Sequence, residues 1–259
     1  MEILQLIDEK FITFLLLLVR FSGLFLGTPI FGARNTPNIL KVGFAFFCSI
    51  IVLPSQNAGI HLDEVGLALF ILVIKELLIG LVIGYISILI FSCLQFAGQF
   101  IDVQMGFGIA NVIDPQNGNP IPLIGNFKYT LALLLFLQID GHHMLIAGLF
   151  KSLEVMPLGQ VELPQGLYPF IFSLFIEMFW ISLHIGLPII GTLFCVNIGL
   201  GLVARTVPQI NVFVVGIPLK IIVGLATLIL VFPFYINVVI NLFQNLLENI
   251  TQFLIILGG

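Results

Sequence analysis

Long apolar runs dominate the chain, each broken by a few polar positions. A bilayer core of about 30 Å takes about 20 helical residues at 1.5 Å each, and against that ruler the runs are uneven. Phe11 to Phe31 makes one good span, interrupted only by Arg20. Ile39 to Pro54 is short and follows Thr36-Pro37, an N-cap with proline in the first turn. Val65 to Gln95 would reach about 46 Å as a helix, too long for one upright span and too short for two with a turn. Tyr129 to Phe150 is a single span with a polar break at Asp140-Gly141-His142-His143. Leu167 to Ala204 would reach about 57 Å, and Pro188 near its middle predicts a kinked hairpin of two short helices. Val212 to Ile240 is again overlong and carries Pro218 and Pro233. The pattern predicts an all-α, polytopic membrane protein of six or seven kinked helices in hairpins, forming a single domain over residues 1–259. Half of these helices have the wrong length for upright lipid-facing spans, so much of the chain is expected to pack against other protein.

Two stretches depart from plain apolar runs. From Gly98 to Lys128 the chain reads GQFIDVQMGFGIANVIDPQNGNPIPLIGNFK. Its glycines and its prolines Pro115, Pro120 and Pro122 exclude a long regular helix across the second half. Yet Met105, Phe107, Ile109, Val112, Ile113, Ile121, Leu123 and Ile124 load it with side chains that a solvated loop would not carry. Non-helical backbone at membrane depth is tolerated where protein buries it or where it lines a water-filled cavity. Two readings follow: a plug or constriction inside an assembly, or a loop packed between two helices. The C-terminal segment from Ile236 places Asn237, Asn241, Asn245 and Asn249 at every fourth position, beside Gln244, Glu248 and Gln252. Phe243, Leu246, Leu247, Ile250, Phe253, Leu254 and Leu257 fill the opposite face. This two-faced helix fits an aqueous lumen, a subunit interface or the headgroup boundary; its lack of Lys and Arg disfavours an anionic-lipid anchor.

Composition agrees with a membrane class. The 259 residues are 59% hydrophobic and 8% charged, with 9 Lys and Arg against 13 Asp and Glu for a net charge of −4; the mean hydropathy is +1.20. Soluble domains carry about a quarter charged residues. These figures exclude a water-soluble enzyme, a nucleic-acid binder that relies on a basic field and a disordered chain. Cys48, Cys93 and Cys195 lie in apolar runs at irregular separations and read as small buried hydrophobes. No small-residue cleavage site follows the first run, so no removable signal peptide is expected. Lys10, Arg34, Lys41, Lys128, Lys151 and Arg205 divide evenly between the two sides of any plausible span count, which leaves orientation open.

Arg20, the adjacent Lys75-Glu76, Glu177 and His184 sit inside apolar segments, where an ionised group costs at least about 2.5 kcal/mol. They need partners or water, and the simplest reading is that they form inter-helix or inter-subunit pairs. Lys75-Glu76 read as one charged belt at a helix end; Glu177 and His184, seven residues apart, share a helix face. A proton-coupled transporter of small solutes would use them as a coupling site, but no inverted repeat accompanies them. The Asp140 to His143 stretch reads as an interfacial turn: adjacent helical histidines point about 100° apart, and no Cys or Glu stands at ligand spacing. No hydrolytic or phosphate-cradling motif occurs, so neither an enzyme nor a cofactor is expected.

Four ordered stretches then resemble the FliR family of flagellar export-gate proteins and its counterparts in virulence type III secretion systems. They are VRFSGLFLGTPIFGARNTPNILKVGFAFFCSIIVLP (Val19 to Pro54), KELLIGLVIGYI through LQFAGQFIDVQMGFGIANVIDPQNG (Lys75 to Gly118), DGHHMLIAGLFKSLEVMPLG (Asp140 to Gly159) and GLVARTVPQINVFVVGIPLKIIVGL (Gly201 to Leu225). The resemblance implies a core subunit of the channel that passes unfolded protein across the bacterial cytoplasmic membrane at the flagellar basal body. It implies a single copy beside several FliP- and FliQ-type subunits, near other export components that supply the energy. It also implies kinked hairpins that complete a spiral ring. The plug would run from about Gly106 to Pro122, including Asp114, Pro115, Gly118 and Pro120. Met105, Phe107, Ile109 and Val112 would form the constriction, Gly106 and Gly108 would supply freedom to open, and Asp102 and Gln104 would hold the loop. Arg205, Gln209, Asn211 and Lys220 would anchor subunit interfaces.

Overall fold

The computed structural model describes residues 2–32, 36–56, 66–108, 122–160, 164, 166–209 and 211–258, with side chains described from residue 9 onward. Among them the chain is all α-helical apart from turns. The helices are α1 (Glu2–Leu26), α2 (Asn38–Val52), α3 (Leu67–Met105), α4 (Leu123–Gln138), α5 (Gly141–Val155), α6 (Leu167–Thr206) and α7 (Val212–Gly258). A 3-10 turn, Leu53–Ser55, extends α2. The stretch Asn38–Ser55 and helices α3, α6 and α7 are long and apolar enough to cross a membrane, and α4 with α5 adds a fifth candidate if the broken pair counts as one. The first run behaves differently: α1 stops at Leu26 and is not among the candidate spans. Between Lys10 and that end only about 24 Å of helix remains, and it encloses Arg20.

Two other runs differ from the sequence pattern. Leu167 to Ala204 is one continuous helix through Pro188, not two short ones. Proline removes a single N–H, and in an apolar segment the remaining backbone groups have no better partner than the helix itself. Ser182 and Thr192 reinforce this by donating their hydroxyls back to the Phe179 and Pro188 carbonyls at 2.6 and 2.8 Å. The run from Val212 and the two-faced segment from Ile236 likewise merge into the single helix α7, which passes through Pro218 and Pro233.

The chain forms two compact units, and the longest helices contribute residues to both. The first comprises Met1–Leu89, Ile139–Leu174 and Phe243–Gly259. Its buried core takes Leu16, Leu17, Phe21, Leu24 and Phe25 from α1, Ile79, Ile83 and Ile86 from α3, Leu145 and Leu149 from α5, and Phe243, Leu246, Ile250 and Phe253 from α7. Gly23 of α1 and Gly27 just beyond its end lie backbone to backbone against Gly80 and Gly84 of α3: a Cβ at Gly84 would stand 2.7 Å from the Gly27 Cα, and one at Gly80 would overlap the Arg20 carbonyl. This small-xxx-small pairing lets two helices approach as they do in membranes. The Phe25, Phe31 and Phe44 rings close a second patch, with centroids 4.9 to 5.5 Å apart.

The second unit comprises Ile90–Gln138 and Phe175–Leu242. Its core is Ile101 and Met105 of α3, Ile124 of α4, and Ile189 and Leu193 of α6, with Phe107, Ile221 and Leu228 packed on it. Phe91 meets Tyr129 and Phe136, both at 5.5 Å between centroids.

Candidate functional site

The first part of the GQFIDVQMGFG stretch is helical. α3 continues through Gly98 because that glycine is a contact surface: a Cβ there would overlap the Cα of Gly125 in α4. The helix ends at Met105, and Gly106 follows at φ +90°. Its N–H donates to the Val103 carbonyl at 3.2 Å, while the Phe107 N–H donates to the Asp102 carbonyl at 3.0 Å. These paired bonds are a Schellman cap, a turn that favours glycine at this position. α4 resumes at Leu123, directly after Pro122.

Asp102, only 5 % exposed, sits one turn before that cap and faces the start of α4. Its Oδ1 accepts the Ile124 N–H at 2.9 Å and its Oδ2 accepts the Gly125 N–H at 3.1 Å. A carboxylate at a helix N-terminus satisfies orphan donors and meets the positive end of the helix dipole. Gln104 is half-buried and makes no side-chain hydrogen bond among the described residues. Met105 is wholly buried in the chain's own core, its Cγ, Sδ and Cε occupying the room that Gly224 leaves open. The side chain is thus held against Gly224 within the second unit. Phe107 is half-buried and Gly108 exposed. Ile109, Val112, Asp114, Pro115, Gly118 and Pro120 lie outside the described residues.

Lys128 was counted from sequence among the loop charges, yet it lies inside α4 at 4 % exposure. Its ammonium sits 4.7 Å from the Tyr235 ring centroid, and the Tyr235 hydroxyl donates to the Lys128 carbonyl at 3.0 Å. An amphipathic stem and a cation–π contact explain how the charge is carried there. The only sequence signal was a lone cation beside an apolar run.

The first unit holds a second buried polar cluster. Arg20 and Glu76 are both 0 % exposed, and Arg20 Nε donates to Glu76 Oε2 at 2.5 Å. The other guanidinium nitrogens reach the Ser152 carbonyl and hydroxyl and the Met156 carbonyl at 3.1 to 3.4 Å. Glu76 Oε1 accepts the Gly159 N–H at 3.1 Å. The pair therefore joins α1, α3, α5 and the turn after α5. Lys75 does not share it: one residue along a helix is a rotation of about 100°, and Lys75 is half-buried on another side of α3. The two are not a belt at a helix end.

The remaining polar candidates face outward. Glu177 and His184 are both exposed on α6 with no hydrogen bond or ion pair joining them, and His184 Nδ1 lies 2.8 Å from the Trp180 carbonyl. Arg205, Gln209 and Asn211 are exposed near the α6 to α7 connection, and Lys220 is half-buried. Asn237, Asn241 and Asn245 are exposed along α7 and Asn249 is half-buried. Cys93 is buried, Cys48 half-buried and Cys195 exposed, so the last is not the buried hydrophobe its run implied. At the break before α5, Asp140 takes φ +57° and lies 3.4 Å from His143. The His142 and His143 ring centroids are 4.1 Å apart. With Asp140 they bring one potential ligand atom each within 4.8 Å.

Comparison with known proteins gives this arrangement a family. A sequence model of bacterial export proteins, family 1, matches residues 11–246. The chain belongs to that family. It is 41% identical to the flagellar biosynthetic protein FliR of Bacillus subtilis (strain 168) over 257 residues, covering 97% of the chain and 98% of that protein. The protein of the same name from Escherichia coli (strain K12) is 30% identical over 256 residues, covering 95% and 97%. Yop proteins translocation protein T of Yersinia pestis is 25% identical over 232 residues, covering 88% of each. The export-family match spans both buried clusters and the Gly106 to Pro122 connection.

Proposed function

We propose that this chain is a non-enzymatic core subunit of the flagellar type III protein export gate. In this reading it sits in the bacterial cytoplasmic membrane at the flagellar basal body. There it forms, with FliP- and FliQ-type subunits, the channel for unfolded export substrates. The observation that carries the reading is the export-family match over residues 11–246. The flagellar assignment is preferred to the virulence one because the relatives named for flagellar biosynthesis are 41% and 30% identical, against 25% for the Yop translocation protein.

The gate itself is the apolar connection from Gly106 to Pro122. Phe107, Ile109 and Val112 seal the passage by excluding water, which a hydrophobic constriction does without chemistry. They yield when a polypeptide is driven through by neighbouring export components. Arg205, Gln209, Asn211 and Lys220 anchor the chain to partner subunits. The amide row on α7 faces a lumen or a neighbouring subunit.

The test is ion leak across the membrane of cells carrying the full export apparatus. The intact chain is compared with one in which Gly106 to Pro122 is replaced by a short polar linker, and equal assembly is checked by co-purification. A clear rise in leak is expected. Unchanged leak with assembly intact would remove the plug and leave a ring subunit whose seal lies in another chain.

A further inference from the structure

We propose that Asp102 is a clasp: its carboxylate holds the C-terminal end of α3 against the N-terminal end of α4, and the two ends stay joined while the gate opens. The proposal rests on the reading of the Gly106 to Pro122 connection as the plug. Its geometry rests on the helix ends themselves.

α4 begins after Pro122, whose side chain offers no acceptor for first-turn N–H groups. Asp102 supplies both acceptors from another helix, one carboxylate oxygen to each of Ile124 and Gly125 at 2.9 and 3.1 Å. It can reach them because Gly98, one turn earlier, lets α3 touch the backbone of Gly125. Hydrogen bonds to an ionised group in a water-excluded site are the stronger kind, and Asp102 is nearly fully buried. The buried ammonium of Lys128, one turn further along α4, attracts the same carboxylate. On its other side the end of α3 is fixed by Met105 seated over Gly224. The chain turns away immediately afterwards, at the Gly106 cap. Three contacts thus fix the α3 end and its junction with α4, while Gly106 is the first position with left-handed backbone freedom. The α3 and α4 ends therefore remain joined on the two sides of the proposed plug.

The experiment compares Asp102→Ala, Asp102→Asn and the Gly106 to Pro122 replacement in the complete export complex, reading ion leak in cells and amide hydrogen exchange in the purified assembly. Asp102→Ala is expected to raise leak several-fold at equal assembly. It should also speed exchange of the Ile124 and Gly125 amides about ten- to a hundredfold, the range for losing a hydrogen bond to a charged group. Asp102→Asn keeps one acceptor oxygen and should fall between. If the loop replacement leaks while Asp102→Ala does not, the clasp is overturned and the plug stands. If the loop replacement does not leak, the plug reading fails, and unchanged exchange in Asp102→Ala would overturn the clasp on its own. Should Asp102→Ala fail to assemble, Asp102→Asn carries both readouts, and no change in either would overturn the proposal.

Discussion

Arg20 and Glu76 show how ionised groups are carried in so apolar a chain. Each has no exposed surface, and nearly all of their polar atoms are spoken for: the guanidinium by Glu76, Ser152 and Met156, the carboxylate by Arg20 and Gly159. Such a pair adds little over well-packed apolar side chains, but removing one partner strands the other charge, at about 3–5 kcal/mol. Whole-protein stability is only about 5–15 kcal/mol. Arg20→Leu is therefore expected to lower the yield of folded protein and its melting temperature in detergent sharply. Replacing both, as Arg20→Met with Glu76→Leu, should restore most of the loss. A single variant as stable as the intact chain would show that the pair carries no structural weight. The sequence marked both residues as needing partners but could not join them, because they stand 56 positions apart. It also could not separate Glu76 from Lys75, since which of two neighbours faces inward depends on the helix's rotation about its own axis.

Glycine spacing decides how the helices meet. Gly23 and Gly27 against Gly80 and Gly84, and Gly98 against Gly125, are places where two backbones touch. At Gly80 an added methyl would overlap the Arg20 carbonyl, and backbone cannot yield as a side-chain tip can. Gly80→Ala is expected to cost about 1–3 kcal/mol through overpacking. Gly43, in α2, has open space around it, so Gly43→Ala should be neutral or stabilising by up to about 1 kcal/mol from helix propensity. Thermal unfolding of the two variants in one detergent checks the contrast, and equal melting temperatures would refute the close-contact account. These positions explain where sequence reading stopped short. A glycine inside an apolar run looks alike whether it breaks a helix, as Gly106 does, or lets one pass another, as Gly98 does. The periodicity of α7 was legible because it is local: Leu242, Phe243, Leu246, Ile250 and Phe253 are buried and Asn241, Asn245 and Glu248 exposed. Pro188 misled for the opposite reason, since proline's effect on a helix depends on whether water can take the freed carbonyl.

At the scale of the whole molecule, the decisive quantity is apolar surface that the chain does not cover for itself. α6 and α7, at 40 and 47 residues, are about 60 and 70 Å long, roughly twice the hydrocarbon thickness of a bilayer. Large apolar side chains stand exposed along most of that length, among them Phe172, Phe194, Leu202, Phe213, Leu230 and Ile255. Lipid can cover about half of such a helix if it stands upright; the remainder is an apolar patch far larger than monomers tolerate in water. The uneven run lengths in the sequence already pointed to protein neighbours. Hydropathy could not identify them, because the complementary surface is encoded in other chains; only the family resemblance suggested which they are. The full chain expressed without FliP- and FliQ-type subunits is therefore expected to be degraded or to aggregate on extraction, and to accumulate when they are co-expressed. Pulse-chase labelling should show a several-fold longer half-life with the partners present. A chain that is long-lived and monodisperse by itself would mean that lipid suffices to cover α6 and α7. That result would contradict the proposed role as a ring subunit even if the buried clusters around Arg20 and Asp102 proved as stabilising as their geometry requires.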